Sequence, residues 1–470
     1  MNWKTIFRSL KSRDMQKRLL TVFALVVVYR FLAFVPVPLA EPTQLKEVID
    51  NVVQSTDFGG FLNLLSGGAL ASFSIVLVGL SPYITASVIS QLLTKAIPRL
   101  EELHKDGESG RRKINQWTRI MTLPLAIMQS IAFIFILRQT VLAGNSAVLA
   151  ETTLATWIVS VTAMTAGAML LMWLGEIITE QGVGNGISLL IFAGIISQLP
   201  STLGSVFSSL TNVSNPESRL NIFNWFTLPV NEFAFYLTLV IGTIALLALY
   251  LIVKINEAQR VIQINYAKRV QGSSAYGGVT SILPVKLITA GVIPVIFAVA
   301  FLALPAFIGQ LLVSTGSERW SEIGQKLVLW FQTPGGNTFA TGDPVAFIYP
   351  VAYFILVVLF TYFYTGIVFN SAEIAENLQK QGGFISDIRP GKQTEKYLSS
   401  IVNRLTFFGS LTLGLIAILP FISEYVFAQL GIAATNLALG GTGLLIVVSV
   451  ALEALRQINS RALMVTYDDY

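Results

Sequence analysis

FGGFLNLLSGGALASFSIVLVGLSPYITASVISQLLT, residues 58–94, runs for 37 residues without one Asp, Glu, Lys or Arg. As a single helix it would extend about 55 Å, nearly twice the roughly 30 Å hydrocarbon thickness of a bilayer, so the chain must turn inside it. Gly59-Gly60 and Gly67-Gly68 bracket one short apolar helix, Phe61-Leu62-Asn63-Leu64-Leu65, and the span proper is expected to begin near Ala71. A segment too short to cross is tolerated at membrane depth only where protein buries it or it lines a cavity. Two readings fit at this point: a re-entrant element inside a pore, and an interfacial helix on the outer face.

Around this stretch the chain has the composition of a polytopic membrane protein. Of 470 residues, 53% are hydrophobic and only 12% charged, with mean hydropathy +0.67, which excludes a soluble globule. The first apolar segment, Leu19 to Leu39, is interrupted only by Arg30. Charge-free stretches at 58–94, 120–137, 152–175, 181–216, 233–253, 287–317, 344–372, 405–423 and 425–452 bring the total to ten spans. Counting Lys and Arg on alternate sides gives 25 against five, with Arg30 left over, and the positive-inside rule places both termini in the cytoplasm.

Trp3, Ile6, Phe7 and Leu10 alternate with Lys4, Arg8, Lys11 and Arg13 at helical spacing, which predicts an amphipathic N-terminal helix on the inner leaflet. A cleaved signal peptide is the competing reading. The apolar run that follows is too long for one, ends in Pro36-Val37-Pro38 and lacks a small-residue cleavage pattern, so the segment is expected to be retained.

Ten spans divide into two sets of five, and an odd number per half inverts the second relative to the first. This repeat rests on span counting, with no residue-by-residue similarity read between the halves. Further breaks are expected at Ser81-Pro82, at Pro294 and at Gly440-Gly441-Thr442-Gly443. The third and fourth spans, with Gln129, Ser160, Thr162, Ala163 and Ala166, read as packing faces.

Much chemistry is missing. The chain has no cysteine, and its one histidine, His104, lies in a charged stretch, so thiol, metal and His-based catalysis are not expected. No cofactor and no enzymatic activity are expected. Nine span centres carry no ionisable residue, whereas ion-coupled transporters keep one near the midplane. Arg30 lies toward the outer end of its span and can snorkel. Pro390-Gly391-Lys392-Gln393 lacks the upstream Gly and the hydroxyl of a phosphate loop. Two basic stretches, Lys254 to Lys286 and Asn370 to Arg404, fit either solvated topological anchors or docking surfaces for an acidic protein or RNA.

Several motifs in order carry a resemblance: Gly79-Leu80-Ser81-Pro82-Tyr83-Ile84, Gly107-Glu108-Ser109-Gly110-Arg111-Arg112-Lys113, Gly182-Val183-Gly184-Asn185-Gly186-Ile187-Ser188, Asn265-Tyr266-Ala267-Lys268-Arg269, Ala290-Gly291-Val292-Ile293-Pro294, Ile388-Arg389-Pro390-Gly391 and Gly440-Gly441-Thr442. Over nearly its whole length the chain resembles the SecY/Sec61 family of protein-conducting channels. The resemblance implies an all-α fold of ten helices in two inverted five-helix halves around an hourglass pore. Unfolded secretory chains would pass outward through it and transmembrane segments would leave sideways into lipid. It makes Gly59, Gly60, Phe61, Leu62, Leu64, Leu65, Gly67 and Gly68 the plug, and Leu80, Ile84, Ile191, Ile296 and Ile446 the apolar ring at the waist. Ser87, Gln91, Gln129 and Thr289 become polar groups of a lateral gate between the second and seventh spans. The family often has an Asn where this chain has Ile288, a departure from the pattern.

The resemblance also makes Arg260, Lys268, Arg269 and Arg389 docking residues for a SecA motor or a ribosome, which would supply the energy. SecE and SecG are the implied small membrane subunits, membrane lipids the further partners, and the bacterial inner membrane the location. The expected organisation is an amphipathic helix over 1–18, a first half over 19–207 with the plug at 59–70, an external loop over 208–232, a second half over 233–457 and a cytoplasmic tail over 458–470. The stretches 254–286 and 370–404 are the docking loops. A solute transporter predicts a midplane coupling charge, and a pore-less assembly subunit predicts a dispensable Gly-bracketed segment.

Overall fold

The computed structural model describes residues 13–38, 73–143, 153–211, 219–222, 226–266, 269–271, 274–276, 280–313, 317–334, 338–339, 342–429 and 441–468. The N-terminal amphipathic stretch up to Leu10, the Gly-bracketed plug residues Gly59 to Gly68, Lys268 and Gly440 lie outside them. In order, the first half contains α1 (Arg13–Leu32), α2 (Ser81–Ala96), α3 (Pro98–Lys105), α4 (Glu108–Ala143), α5 (Leu154–Gln181) and α6 (Gly186–Thr211). A hairpin, β1 (Arg219–Ile222) and β2 (Phe226–Asn231), leads to α7 (Glu232–Glu257). Next come β3 (Gln259–Tyr266), β4 (Arg269–Gln271), β5 (Ser274–Tyr276) and β6 (Thr280–Lys286), then α8 (Ile293–Val313) and α9 (Glu318–Phe331). The chain continues with α10 (Ile348–Val368), α11 (Ser371–Lys380), β7 (Gly383–Phe384), α12 (Lys392–Gln429) and α13 (Gly441–Asp468).

Seven helices among the described residues are long and apolar enough to cross a membrane, namely α4 to α8, α10 and α12. α1, α2 and α13 stand at the first, second and tenth apolar stretches. Lipid is the solvent for their outer faces: α7 leaves Leu239 54% and Leu246 68% exposed, an arrangement water would penalise. Two polar links tie helices together near their ends. Arg119 Nε donates to Glu176 Oε1 at 2.6 Å, joining α4 to α5. Arg456 donates to the Asn256 carbonyl, and Asn256 Nδ2 donates to Ser449 Oγ, joining α13 to α7.

The second span differs from its expected start. Helix begins at Ser81, not near Ala71, with Pro82 in the first turn, where its missing N–H costs nothing. Residues 73–80 form turns before it. Their backbone is satisfied by pairing: Val37 N–H donates to Phe73 O at 2.8 Å and Ile75 N–H to Val35 O at 2.9 Å. Protein buries them too, with Phe73, Ser74 and Val76 at most 2% exposed. This is how irregular backbone is tolerated at membrane depth.

That device recurs in the second half. Gly79 and Gly291 both adopt left-handed backbone, φ 61° and 64°, and each is followed three residues later by a proline opening a helix. Four residues before each glycine, a carbonyl rests on a glycine of another helix. Ile75 O meets Gly167 of α5, and Leu287 O meets Gly409 of α12, each so close that a Cβ would overlap it. α6 and α13 likewise both open on a glycine, as Gly186-Ile187-Ser188-Leu189-Leu190-Ile191 and Gly441-Thr442-Gly443-Leu444-Leu445-Ile446. The halves are therefore related residue by residue at these positions, contrary to the sequence reading.

Three other expectations need correction. The packing face of α5 is Ser160, Met164, Gly167, Ala168 and Leu171, while Thr162 and Ala166 are exposed. After the charge-free stretch of the seventh span ends, the chain is not a simple loop: α9 folds back along α8 with Gly324 and Gly309 at the crossing. The two basic stretches are not irregular loops either. Antiparallel strands in the order β6-β3-β7 join them in one sheet, and the second stretch contains α11 and the first turns of α12.

Candidate functional site

The five expected ring residues come from four helices and are all buried in one large apolar core. Leu80 caps α2, Ile84 lies in its first turn, and Ile191, Ile296 and Ile446 lie near the starts of α6, α8 and α13. All are between 4% and 9% exposed and belong to a single apolar core, together with Val292 and Val295. Three come from the first half and two from the second, so this core is where the halves meet. The repeated openings explain the placement: Ile84 and Ile296 each follow their proline by two residues, and Ile191 and Ile446 each end the sequence Leu-Leu-Ile. An Ile in a membrane helix carries no signal alone, but two pairs at matching positions of inverted halves do.

The residues expected at the gate stand on, or just before, helices that pack together, and the hydrogen bonds of Gln91 and Thr289 stay within their own segments. α2 packs against α8, and α8 against α4. Gln91 Nε2 donates to Ser87 Oγ at 3.2 Å, one turn back on α2, and Gln91 Oε1 is buried with no hydrogen-bond partner. Thr289 Oγ1 donates to the Lys286 carbonyl, within its own segment. Gln129 is half-buried on α4. Ile288 is 5% exposed and lies in the same apolar core as the expected ring residues. Here that position adds to the apolar core, where an amide would need a partner.

The two basic stretches make one platform. Ile262 and Val285 from the hairpin pack with Ile385, Leu398, Ile401 and Val402 from the second stretch, and Asn265 Nδ2 donates to Ser386 Oγ at 3.0 Å. Ile262 and Ile264 are buried on one face of β3, and Arg260, on that same face near the start of the strand, is exposed. Arg389 is exposed on a tight turn between Asp387, φ 64°, and Gly391, φ 99°, and its carbonyl accepts a bond from the buried Thr394 hydroxyl at 3.0 Å. Arg269 pairs with Tyr276 in the β4/β5 hairpin. Thr394 and Ser386 were not expected as parts of this site, and their signal in the sequence is only that of short polar residues near Arg389; Asn265 opens the motif Asn265-Tyr266-Ala267-Lys268-Arg269, without a role assigned to its own side chain.

Among the described residues no group of three His, Asp or Glu could hold a metal ion. Partial burial, with Arg111 and Lys95 nearby, lowers the pKa of His104 below its ordinary value and favours the neutral ring.

A profile of SecY matches residues 74–455, which is most of the chain. The chain belongs to the SecY family. Protein translocase subunit SecY of Streptomyces galbus is 38% identical over 467 residues, covering 98% of both chains, and that of Corynebacterium glutamicum is 38% identical over 470 residues with the same coverage. Among solved structures, a protein-conducting channel superposes with TM-score 0.61 at 21% identity over 94% of this chain and 91% of that one. Sec61 in a canine ribosome-channel complex superposes with TM-score 0.56 at 18% identity and the same coverage. The fold is that of the SecY channel.

Proposed function

We propose that this SecY-family channel passes unfolded polypeptides outward through a waist lined by Leu80, Ile84, Ile191, Ile296 and Ile446. The observation carrying this reading is that these side chains, from both halves, are all buried in one large apolar core. Branched apolar groups offer water and ions no partner, so a constriction made of them stays dewetted, yet no fixed bond must break for a chain to enter. Gly59 to Gly68 serve as the plug in this reading; a SecY channel of 19% identity is described as having a plug domain that stabilises its closed state. α2 and α8 part as the lateral gate, with Ser87, Gln91, Gln129 and Thr289 as its polar groups, and apolar signal segments partition into lipid at about 25 cal/mol per Å² buried.

The work is supplied by a partner on the cytoplasmic platform, the SecA motor or a ribosome, against Arg260, Lys268, Arg269 and Arg389. Two structural neighbours, Sec61 and Ssh1, are ribosome-bound, which supports this placement. The chain itself catalyses nothing. SecE and SecG brace the two halves, and the assembly sits in the bacterial inner membrane with both termini in the cytoplasm.

Photocrosslinking from Ile191 to a stalled secretory chain in membranes tests this, with Leu246 on the lipid-facing side of α7 as control. Crosslinks from Ile191 alone are expected. None from either position, with the motor active, would leave an assembly subunit without a pore as the better reading.

A further inference from the structure

We propose that the outer ends of α10 and α12 form a binding site for one acyl chain of an outer-leaflet phospholipid. A cavity of about 300 Å³ lies between them, open on one side, and its walls are apolar throughout. Its floor is set where Phe354 of α10 lies against Gly414 of α12, at which an added Cβ would come within 2.7 Å of the ring. Its mouth is flanked by Val351, Leu415 and Ile422, each at least half exposed to the lipid that bathes these spans. At the other end Phe339, Phe347 and Tyr425 form a closed triangle, with ring centroids 5.3 to 6.0 Å apart.

Each observation narrows the occupant. A dry cavity of this kind holds no ordered water, because water needs polar partners. It is too small for a partner helix, whose diameter is about 10–12 Å, but has room for about ten water-sized or methylene-sized groups. It is continuous with the lipid-facing surface. The aromatic triangle lies beside the start of α10, the external end by the charge count, and its Tyr425 is of the type that sits at headgroup level. A tapering hydrocarbon chain entering from the outer leaflet meets all four conditions. The wall has nothing with which to read a headgroup.

The test uses the full-length chain in nanodiscs containing a phosphatidylglycerol with a diazirine at its acyl terminus. After photolysis, adducts are mapped by peptide mass spectrometry and compared with the exposed Leu239 to Leu251 face of α7. Labelling of the 347–354 and 415–425 segments is expected to exceed that of α7 by about ten-fold per exposed side chain, and to be the same for phosphatidylethanolamine. Leu415→Trp, or Val351→Phe should the first variant misfold, fills the cavity and should abolish the excess while α7 labelling is unchanged. Equal labelling of both regions would mean ordinary bilayer contact and overturn the proposal. So would labelling confined to one headgroup, or adducts displaced by a crosslinked protein in native membranes.

Discussion

Ile84 and Ile296 bring no hydrogen-bonding group to the place where the halves meet, and that is what makes them sensitive. Placing an amide there leaves a buried polar group without a partner, at a cost of about 1–3 kcal/mol to the closed state. The open state, wetted and filled by a chain, bears less of that cost. Ile296→Asn is therefore expected to shift the closed-to-open balance by about 5- to 150-fold, read as increased ion leak across vesicles and acceptance of weaker signal sequences. Unchanged leak and selectivity would count against the waist assignment. These side chains were named in the sequence only through resemblance, since burial of an isoleucine has many causes. Their pairing was nevertheless legible: Gly79-x-x-Pro82-x-Ile84 and Gly291-x-x-Pro294-x-Ile296 are one pattern written twice. Arg389 shows the reverse. Its surrounding motif was visible, but the turn that presents it depends on left-handed backbone at Asp387 and on Thr394, which only folding brings beneath it. Arg389→Glu is expected to lower motor-driven export by about ten-fold or more, a repulsive contact of at least about 1.4 kcal/mol, with thermal stability unchanged.

Between elements, close crossings carry the next level of constraint. α9 lies along α8 with glycine on glycine: a Cβ on Gly324 would stand 2.6 Å from the Gly309 carbonyl, and one on Gly309 would stand 2.8 Å from the Gly324 carbonyl. Gly324→Val must separate the helices or distort one of them, an overpacking cost of about 1–3 kcal/mol. The expected result is a lowered unfolding midpoint in detergent, with Gly204→Ala, which lies in a helix and meets nothing within 4 Å, as a control that does not lower it. An undiminished midpoint would show the crossing to be slack. α9 escaped the sequence reading because Glu318, Arg319, Glu322 and Lys326 ended the charge-free stretch, and charge counting cannot tell a solvated loop from an amphipathic helix. The sheet of the basic stretches escaped for a similar reason. Its third strand is only two residues, Gly383–Phe384, and it pairs with β3 across more than a hundred residues of chain.

For the whole molecule, the polytopic all-α layout was legible because hydropathy reports on lipid contact. The closeness of the repeat was legible only at the Gly-x-x-Pro-x-Ile pattern, because the rest of its signature is in backbone contacts. Ile75 O on Gly167 and Leu287 O on Gly409 hold the segments that precede α2 and α8, the two helices of the proposed gate. If the halves work as equivalent jaws, the two glycines are equivalent in function as well as in position. Gly167→Ala and Gly409→Ala should each push their segment, and the ring isoleucine behind it, out of register. Each should therefore raise ion leak through the resting channel to a similar degree. The double variant should exceed either alone, because the sites lie in different halves and share no partner. The chain has no cysteine, so a single Cys at position 84 or 296 can report the same displacement through its labelling rate without background. Leak in one variant with silence in the other would show that only one half moves, and the symmetry would then be a record of folding and not of gating.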